Sequence, residues 1–348
     1  MSPTIFMVML FSLTTGTIIT ITSHHWLLAW IGLEINTLSI IPIISTTHHP
    51  RSTEAATKYF LTQAAASALI LFSSMINAWE TGTWDITQLS STPSTPSHIL
   101  LTVALAMKLG LVPMHFWLPE VLQGSTLMTA LIITTWQKIA PMTLIYLTIN
   151  SLSTTILLLM GLMSTIIAGW AGLNQTQTRK IMAYSSIAHL GWMISISSIM
   201  TNLMVMNLMI YLIMTSALFQ ALIFSKSKTI QDTTTTWALS PVVAVTTMAL
   251  LLSLGGLPPL TGFMPKWLIL EELVTQNLIP TATMMALSAL LSLFFYLRLT
   301  YTTTLTLSPN TTSTKFKWRL KLNQPTPLML VTATTSILLL PLTPLIVM

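Results

Sequence analysis

Apolar runs of the length a helix needs to cross a bilayer, about 20 residues, recur along nearly the whole chain. Few of the stretches between them exceed 20 residues. In hydrocarbon every backbone polar group must be satisfied within the spanning structure, so only helices and closed barrels qualify. Runs of this length select helices. Of the 348 residues, 53% are hydrophobic and 6% charged, against about 25% charged in a soluble domain. The expectation is an all-α polytopic membrane protein of eleven spans, near 3–22, 26–45, 56–77, 99–117, 123–147, 152–170, 178–199, 203–225, 241–273, 281–303 and 327–346. The opening segment lacks a basic n-region and is long enough to span, so it reads as a helix rather than a cleavable signal.

The loop charges orient these spans. Eleven of the 14 basic residues fall after even-numbered spans: Arg51 and Lys58, Arg179 and Lys180, Lys226 and Lys228, and the tract Arg298, Lys315, Lys317, Arg319, Lys321. The loops after odd-numbered spans hold none, while Glu80, Asp85, Glu271 and Glu272 lie at that face. By the positive-inside rule the even loops and the N-terminus face the matrix or cytoplasm, and the C-terminus faces the opposite side. A basic excess spread over short loops is no nucleic-acid footprint.

Two spans are broken. The fourth reads LLTVALAMKLGLVPMHFWLPEV and the ninth LLLSLGGLPPLTGFMPKWLI, with Gly110 and Pro113 in one and Gly255, Gly256, Pro258 and Pro259 in the other. A proline removes a backbone hydrogen bond, and in lipid the freed groups must be met by protein or trapped water. Each break is fourth in a set of five spans. Five is odd, so the sets 1–150 and 151–304 have opposite orientation, with 305–348 left as a basic loop and a last helix. Interrupted helices at matching places in inverted repeats point to a transport site. Ordinary proline kinks are the plainer alternative.

The remaining basic residues, Lys108, Lys138 and Lys266, lie inside apolar stretches, as does Glu34. Four such groups oppose insertion by on the order of 10–14 kcal/mol, and intramembrane ionisable residues mark ion or proton paths. Lys108 is the expected partner of Glu34, either as a structural ion pair or as a proton-loading pair. Lys138, between Thr134, Thr135, Gln137 and Pro141, would be a middle relay. Lys266 would load or release a proton at the far end, or else snorkel to the interface. His189, among Ser185, Ser186 and Ser195, can pass a proton between its two nitrogens, although a lone buried histidine also serves as an ordinary hydrogen-bonding group. His115 and Glu120 read as structural or funnel residues. His24, His25, His48 and His49 read as interfacial loop residues, and Trp26, Trp79, Trp84, Trp117, Trp237 and Trp318 as an aromatic belt.

Other chemistries find no support. The chain has no cysteine, so disulfides, thiolate metal sites and Cys-held iron–sulfur clusters are excluded. No Walker loop, dinucleotide fingerprint, bis-histidine haem pattern or nucleophile elbow occurs. No metal site and no redox centre is expected.

The segments WIGLEINTLSIIP, MKLGLVPMHFWLPEV, AYSSIAHLGWM and LSLGGLPPLTGFMPKW, in this order, resemble the proton-translocating antiporter-like membrane subunits of respiratory complex I. The likeness covers essentially the whole chain. Bacterial members look like fourteen-helix proteins, and eleven spans fit the animal form, which lacks the first three. The bias towards Met, Thr, Leu and Ile suits a chain encoded in an animal mitochondrial genome. The resemblance implies a hydrophilic axis of Glu34, Lys108, Lys138 and Lys266, and a proton channel driven by electron transfer from NADH to ubiquinone in other subunits. It implies that NADH, FMN, iron–sulfur clusters and ubiquinone are held by those partners and none by this chain. Neighbouring antiporter-like chains and phospholipids would surround it in the mitochondrial inner membrane, with the N-terminus in the matrix and the C-terminus in the intermembrane space. A sodium/proton antiporter subunit and a non-pumping membrane scaffold are the alternatives.

Overall fold

Among the described residues each expected span overlaps helix, and large apolar side chains also stand on the outside of the helices. The computed structural model describes residues 3–88, 95–306, 327–338 and 340–342. Lys315, Lys317, Arg319 and Lys321 lie outside these residues, as does the end of the eleventh span. In α1 (Pro3–Thr22) the exposed face is Ile5, Phe6, Met7, Val8, Phe11, Ile18 and Ile21, whereas Gly16, Thr17 and Thr20 are buried. Lipid takes the large apolar groups, and small residues let backbones approach. A side chain on Gly16 would collide with Asn36 and with the Gly32 carbonyl of α2 (Trp26–Ile44).

Among the described residues, seven helices are long and apolar enough to cross a membrane: Pro3–Thr22, Trp26–Thr47, Pro50–Thr81, Leu127–Thr148, Thr154–Gly172, Thr201–Ser225 and Ile279–Leu305. The helices of the other four expected spans are either shorter or more polar. The fourth and ninth are short because they are broken. The seventh, α9 (Thr178–Ser197), is 20 residues long but carries Arg179, Lys180, His189 and several serines.

Helix starts explain one histidine of each pair. His25 Nδ1 accepts from the Leu27 N–H at 3.2 Å, and His49 Nδ1 accepts from the Arg51 N–H at 3.2 Å. His25 thus caps α2. His49 caps α3 (Pro50–Thr81), helped by Pro50 at its first position and by Ser52 Oγ, which accepts from the His49 N–H. These are helix caps rather than merely loop residues.

Internal contacts divide the chain into two units, Met1–Ser164 with Met193–Thr201, and Thr165–Trp192 with Asn202–Met348. The first unit holds α1 to α3, α4 (Thr95–Leu109), α5 (Trp117–Gly124), α6 (Leu127–Thr134) and α7 (Trp136–Thr148). The expected fifth span, 123–147, falls mainly on α6 and α7, which run on as one spanning segment with a single interruption. They part at Thr135 (φ −107°, ψ −72°), where the Thr134 and Thr135 hydroxyls donate to the Ala130 and Leu131 carbonyls. Side-chain competition for the ladder just ahead of Pro141 accounts for the interruption. The second unit holds α10 (Thr201–Ser225), the short α11 (Ile230–Thr234) and α12 (Thr236–Leu239), α13 (Pro241–Gly255), α14 (Phe263–Thr275), α15 (Ile279–Leu305) and α16 (Pro327–Leu338). The unit boundary runs through α8 (Thr154–Gly172) and α9.

Candidate functional site: lysines at two broken helices

Both breaks are built alike. α4 stops at Gly110 in the left-handed region (φ 76°), and the Leu111 N–H reaches back to the Ala106 carbonyl at 2.9 Å. α13 stops at Gly256 (φ 80°), and the Leu257 N–H reaches back to the Leu252 carbonyl at 3.3 Å. Only glycine takes this conformation without strain, and it closes the helix with one turn of carbonyls still open. Pro113 follows the first stop, and Pro258 with Pro259 follows the second, so neither helix resumes at once. The Val112–Pro113 and Pro258–Pro259 peptide bonds are both cis.

Side chains then meet several carbonyls of these last turns. In the first unit the Met107 carbonyl accepts from Trp117 Nε1 at 3.1 Å, and the Leu109 carbonyl accepts from Lys138 Nζ at 2.5 Å. Lys138 is 1% exposed, and its ammonium also lies 5.4 Å from the centre of the Trp117 ring. In the second unit Lys266 Nζ donates to the Gly255 carbonyl at 2.8 Å and to Leu254 at 3.4 Å. At each break, the residue just before the left-handed glycine thus accepts from a lysine. A helix C-terminus carries about half a negative charge, which favours a cation there.

In sequence the lysines nearest the two breaks are Lys108 and Lys266. The lysine equivalent in contact to Lys266 is nevertheless Lys138, supplied by α7. Lys108 is buried, and among the described residues neither its Nζ nor Glu34 Oε2 has a hydrogen-bond partner. The direct ion pair expected between them is not formed. Among the described residues the ion pairs are Lys58 with Glu54 at 2.5 Å and Lys58 with Glu120 at 2.6 Å. Glu120 is thereby a surface ion-pair residue, and His115 is buried with its ring 4.2 Å from that of Phe116. Lys266 turns inward to the break instead of snorkelling. Trp26 and Trp117 are buried and so leave the aromatic belt, while Trp79, 91% exposed, fits it.

His189 is buried in the second unit between two tyrosines that the sequence analysis did not single out. Tyr296 Oη lies 3.5 Å from His189 Nε2, and the Tyr211 ring centre lies 5.5 Å from that of the imidazole. Ser185 and Ser186 are buried and donate to the Met182 and Ala183 carbonyls of their own helix, each at 2.7 Å. The Tyr296 ring lies against Gly255, where a Cβ would be 3.8 Å from its Cδ2. One side chain therefore touches both the imidazole and the residue whose carbonyl holds Lys266. Among the described residues no three His, Asp or Glu side chains gather as a metal site would require.

Comparison with known proteins identifies the family. Residues 23–292 match the family described as NADH:quinone oxidoreductase/Mrp antiporter, and residues 293–347 match the NADH dehydrogenase subunit 2 C-terminus. NADH-ubiquinone oxidoreductase chain 2 of Polypterus ornatipinnis is 58% identical over 86% of this chain and 86% of its own. That of Tetraodon nigroviridis is 56% identical over 99% and 98%. A chain in respiratory complex I from Thermus thermophilus, solved with bound aureothin, superposes with a TM-score of 0.85 at 24% identity, covering 99% of this chain and 79% of its own. A chain of the Mrp complex from Dietzia shares the fold at a TM-score of 0.84 and 17% identity, over 97% and 75%. This chain belongs to the NADH-ubiquinone oxidoreductase chain 2 family, the antiporter-like membrane-arm subunits of respiratory complex I.

Proposed function

We propose that the chain carries protons across the mitochondrial inner membrane, using Glu34, Lys108, Lys138, His189 and Lys266 as its proton sites. The observation behind this reading is the repeated lysine cap, Lys138 on the Leu109 carbonyl and Lys266 on the Gly255 carbonyl. An ammonium has three N–H donors, and a neutral amine keeps two. Either lysine can give up a proton and still satisfy its carbonyl, so the charge changes while the break stays closed. A site of this kind can load and unload without the helix coming apart. Among the described residues Lys108 and Glu34 have no direct partner to lock them in one state, so water can reach their polar atoms as the proton arrives.

The chain makes eleven crossings in this reading, as two inverted repeats, 1–150 and 151–304, followed by 305–348. The breaks at Pro113 and at Pro258 and Pro259 occupy equivalent places. The N-terminus lies in the matrix and the C-terminus in the intermembrane space. Electrons pass from NADH through FMN and iron–sulfur clusters to ubiquinone in partner subunits, and the released energy reaches this chain through neighbouring antiporter-like subunits. Phospholipid covers the apolar outer faces.

Lys108→Met in the intact complex tests the reading. NADH oxidation and assembly should persist while fewer protons are moved per electron. If assembly and stoichiometry both survive, the chain is not the pump. Proton movement driven by a sodium gradient without NADH would instead make it a sodium/proton exchanger.

A further inference from the structure

The second break is held from outside by the last helix. Thr261, in the connection between α13 and α14, is buried, and its hydroxyl donates to the Ser336 carbonyl of α16. It also faces Met214 Sδ of α10 at 3.8 Å. Ser336 stands in the last described turn of α16. The bond ties Thr261 to that turn of the last helix. Next to it, Gly262 is packed so closely that a side chain would collide with the Ser253 carbonyl of α13. α16 is seated independently of this bond: Met329 packs with Ala221 and Val243 in a buried cluster, and Thr332 Oγ1 donates to Gln220 Oε1 at 3.3 Å. The connection thus lies between two fixed surfaces, α13 and α16.

We propose that Thr261 is a positioning residue, and that through it the C-terminal helix sets the geometry of the break at which Lys266 holds the Gly255 carbonyl. The acceptor belongs to the segment matched by the subunit 2 C-terminal family, whereas the broader antiporter family match ends at residue 292. The last helix accordingly supplies a restraint from outside the part shared with that broader family. The inference rests on the reading of Lys266 as a proton site.

The test uses Thr261→Val, which keeps the shape but not the donor, and Thr261→Ser, which keeps the donor. Both are read in the intact complex by amide exchange at Leu260 and Phe263 and by protons moved per electron. Thr261→Val should speed exchange about fivefold, the worth of one net hydrogen bond, and lower the proton stoichiometry, while Thr261→Ser should match the parent. Unchanged exchange in Thr261→Val overturns the clasp, and so does an equal defect in Thr261→Ser. Faster exchange with normal stoichiometry overturns the positioning role. Lys266→Met, measured alongside, separates the two claims: normal pumping in that variant overturns the proton reading of the break itself.

Discussion

Lys266 reaches the Gly255 carbonyl because Gly256 has no side chain: a Cβ there would lie 2.9 Å from Lys266 Cδ and 3.0 Å from Nζ. Gly256→Ala meets that obstruction and also the left-handed backbone, which costs a non-glycine residue roughly 1–2 kcal/mol. The expected result is a complex of reduced abundance whose assembled fraction moves fewer protons per electron. Native-gel quantification together with a proton-to-electron measurement checks both parts. Gly82→Ala, at an equally left-handed position with open space where the Cβ would go, should show the backbone cost alone and pump normally.

Tyr296→Phe removes the hydroxyl beside His189 Nε2 but keeps the ring against Gly255. The core should hold, since the lost group is one polar contact and the packing is conserved. Proton stoichiometry should fall while complex abundance stays near the parent. Equal pumping would remove Tyr296 from the site.

Outside the spans, the Asp232 carboxylate caps α11. Its Oδ2 accepts from the Lys228 N–H at 2.9 Å and the Thr229 N–H at 2.8 Å. Desolvation alone would raise the carboxyl, yet the hydrogen bonds from the Thr229 and Lys228 backbones, with the Thr229 hydroxyl and the Lys228 charge, hold it below the ordinary value. A depressed carboxyl stabilises the fold fully above the unfolded value of about 3.9, and that contribution is lost as pH falls through the lower native value. Its effect is therefore constant across neutral pH. Asp232→Ala should loosen the connection between α10 and α13 by about 1 kcal/mol, the usual worth of such a cap, seen as faster exchange at Lys228 and Thr229. Pumping should be unaffected.

What the sequence made legible follows from what is local. Hydropathy located the spans, and Gly110, Pro113, Gly256, Pro258 and Pro259 located both breaks, because a left-handed glycine and a missing N–H end a helix wherever they stand. The partners of those breaks are not local. Lys108 is next to Leu109 in the chain, but the group that reaches the Leu109 carbonyl is Lys138, 29 residues away. Tyr296 meets His189 across 107 residues, and Thr261 meets Ser336 across 75. Nothing in a single sequence specifies such pairs. His25 and His49 were closer to hand: each stands just before an apolar helix, and Pro50 after His49 is a first-position signal.

The central claim is that the lysines at the breaks carry protons rather than merely close helices, and Lys138→Arg distinguishes the two. Arginine keeps the positive charge and the donors needed by the Leu109 carbonyl, but it does not lose its proton in a protein. Protons moved per electron in the assembled variant complex is the decisive measurement. The account predicts assembly with a clear loss of pumped protons; normal stoichiometry with arginine at this position would contradict it.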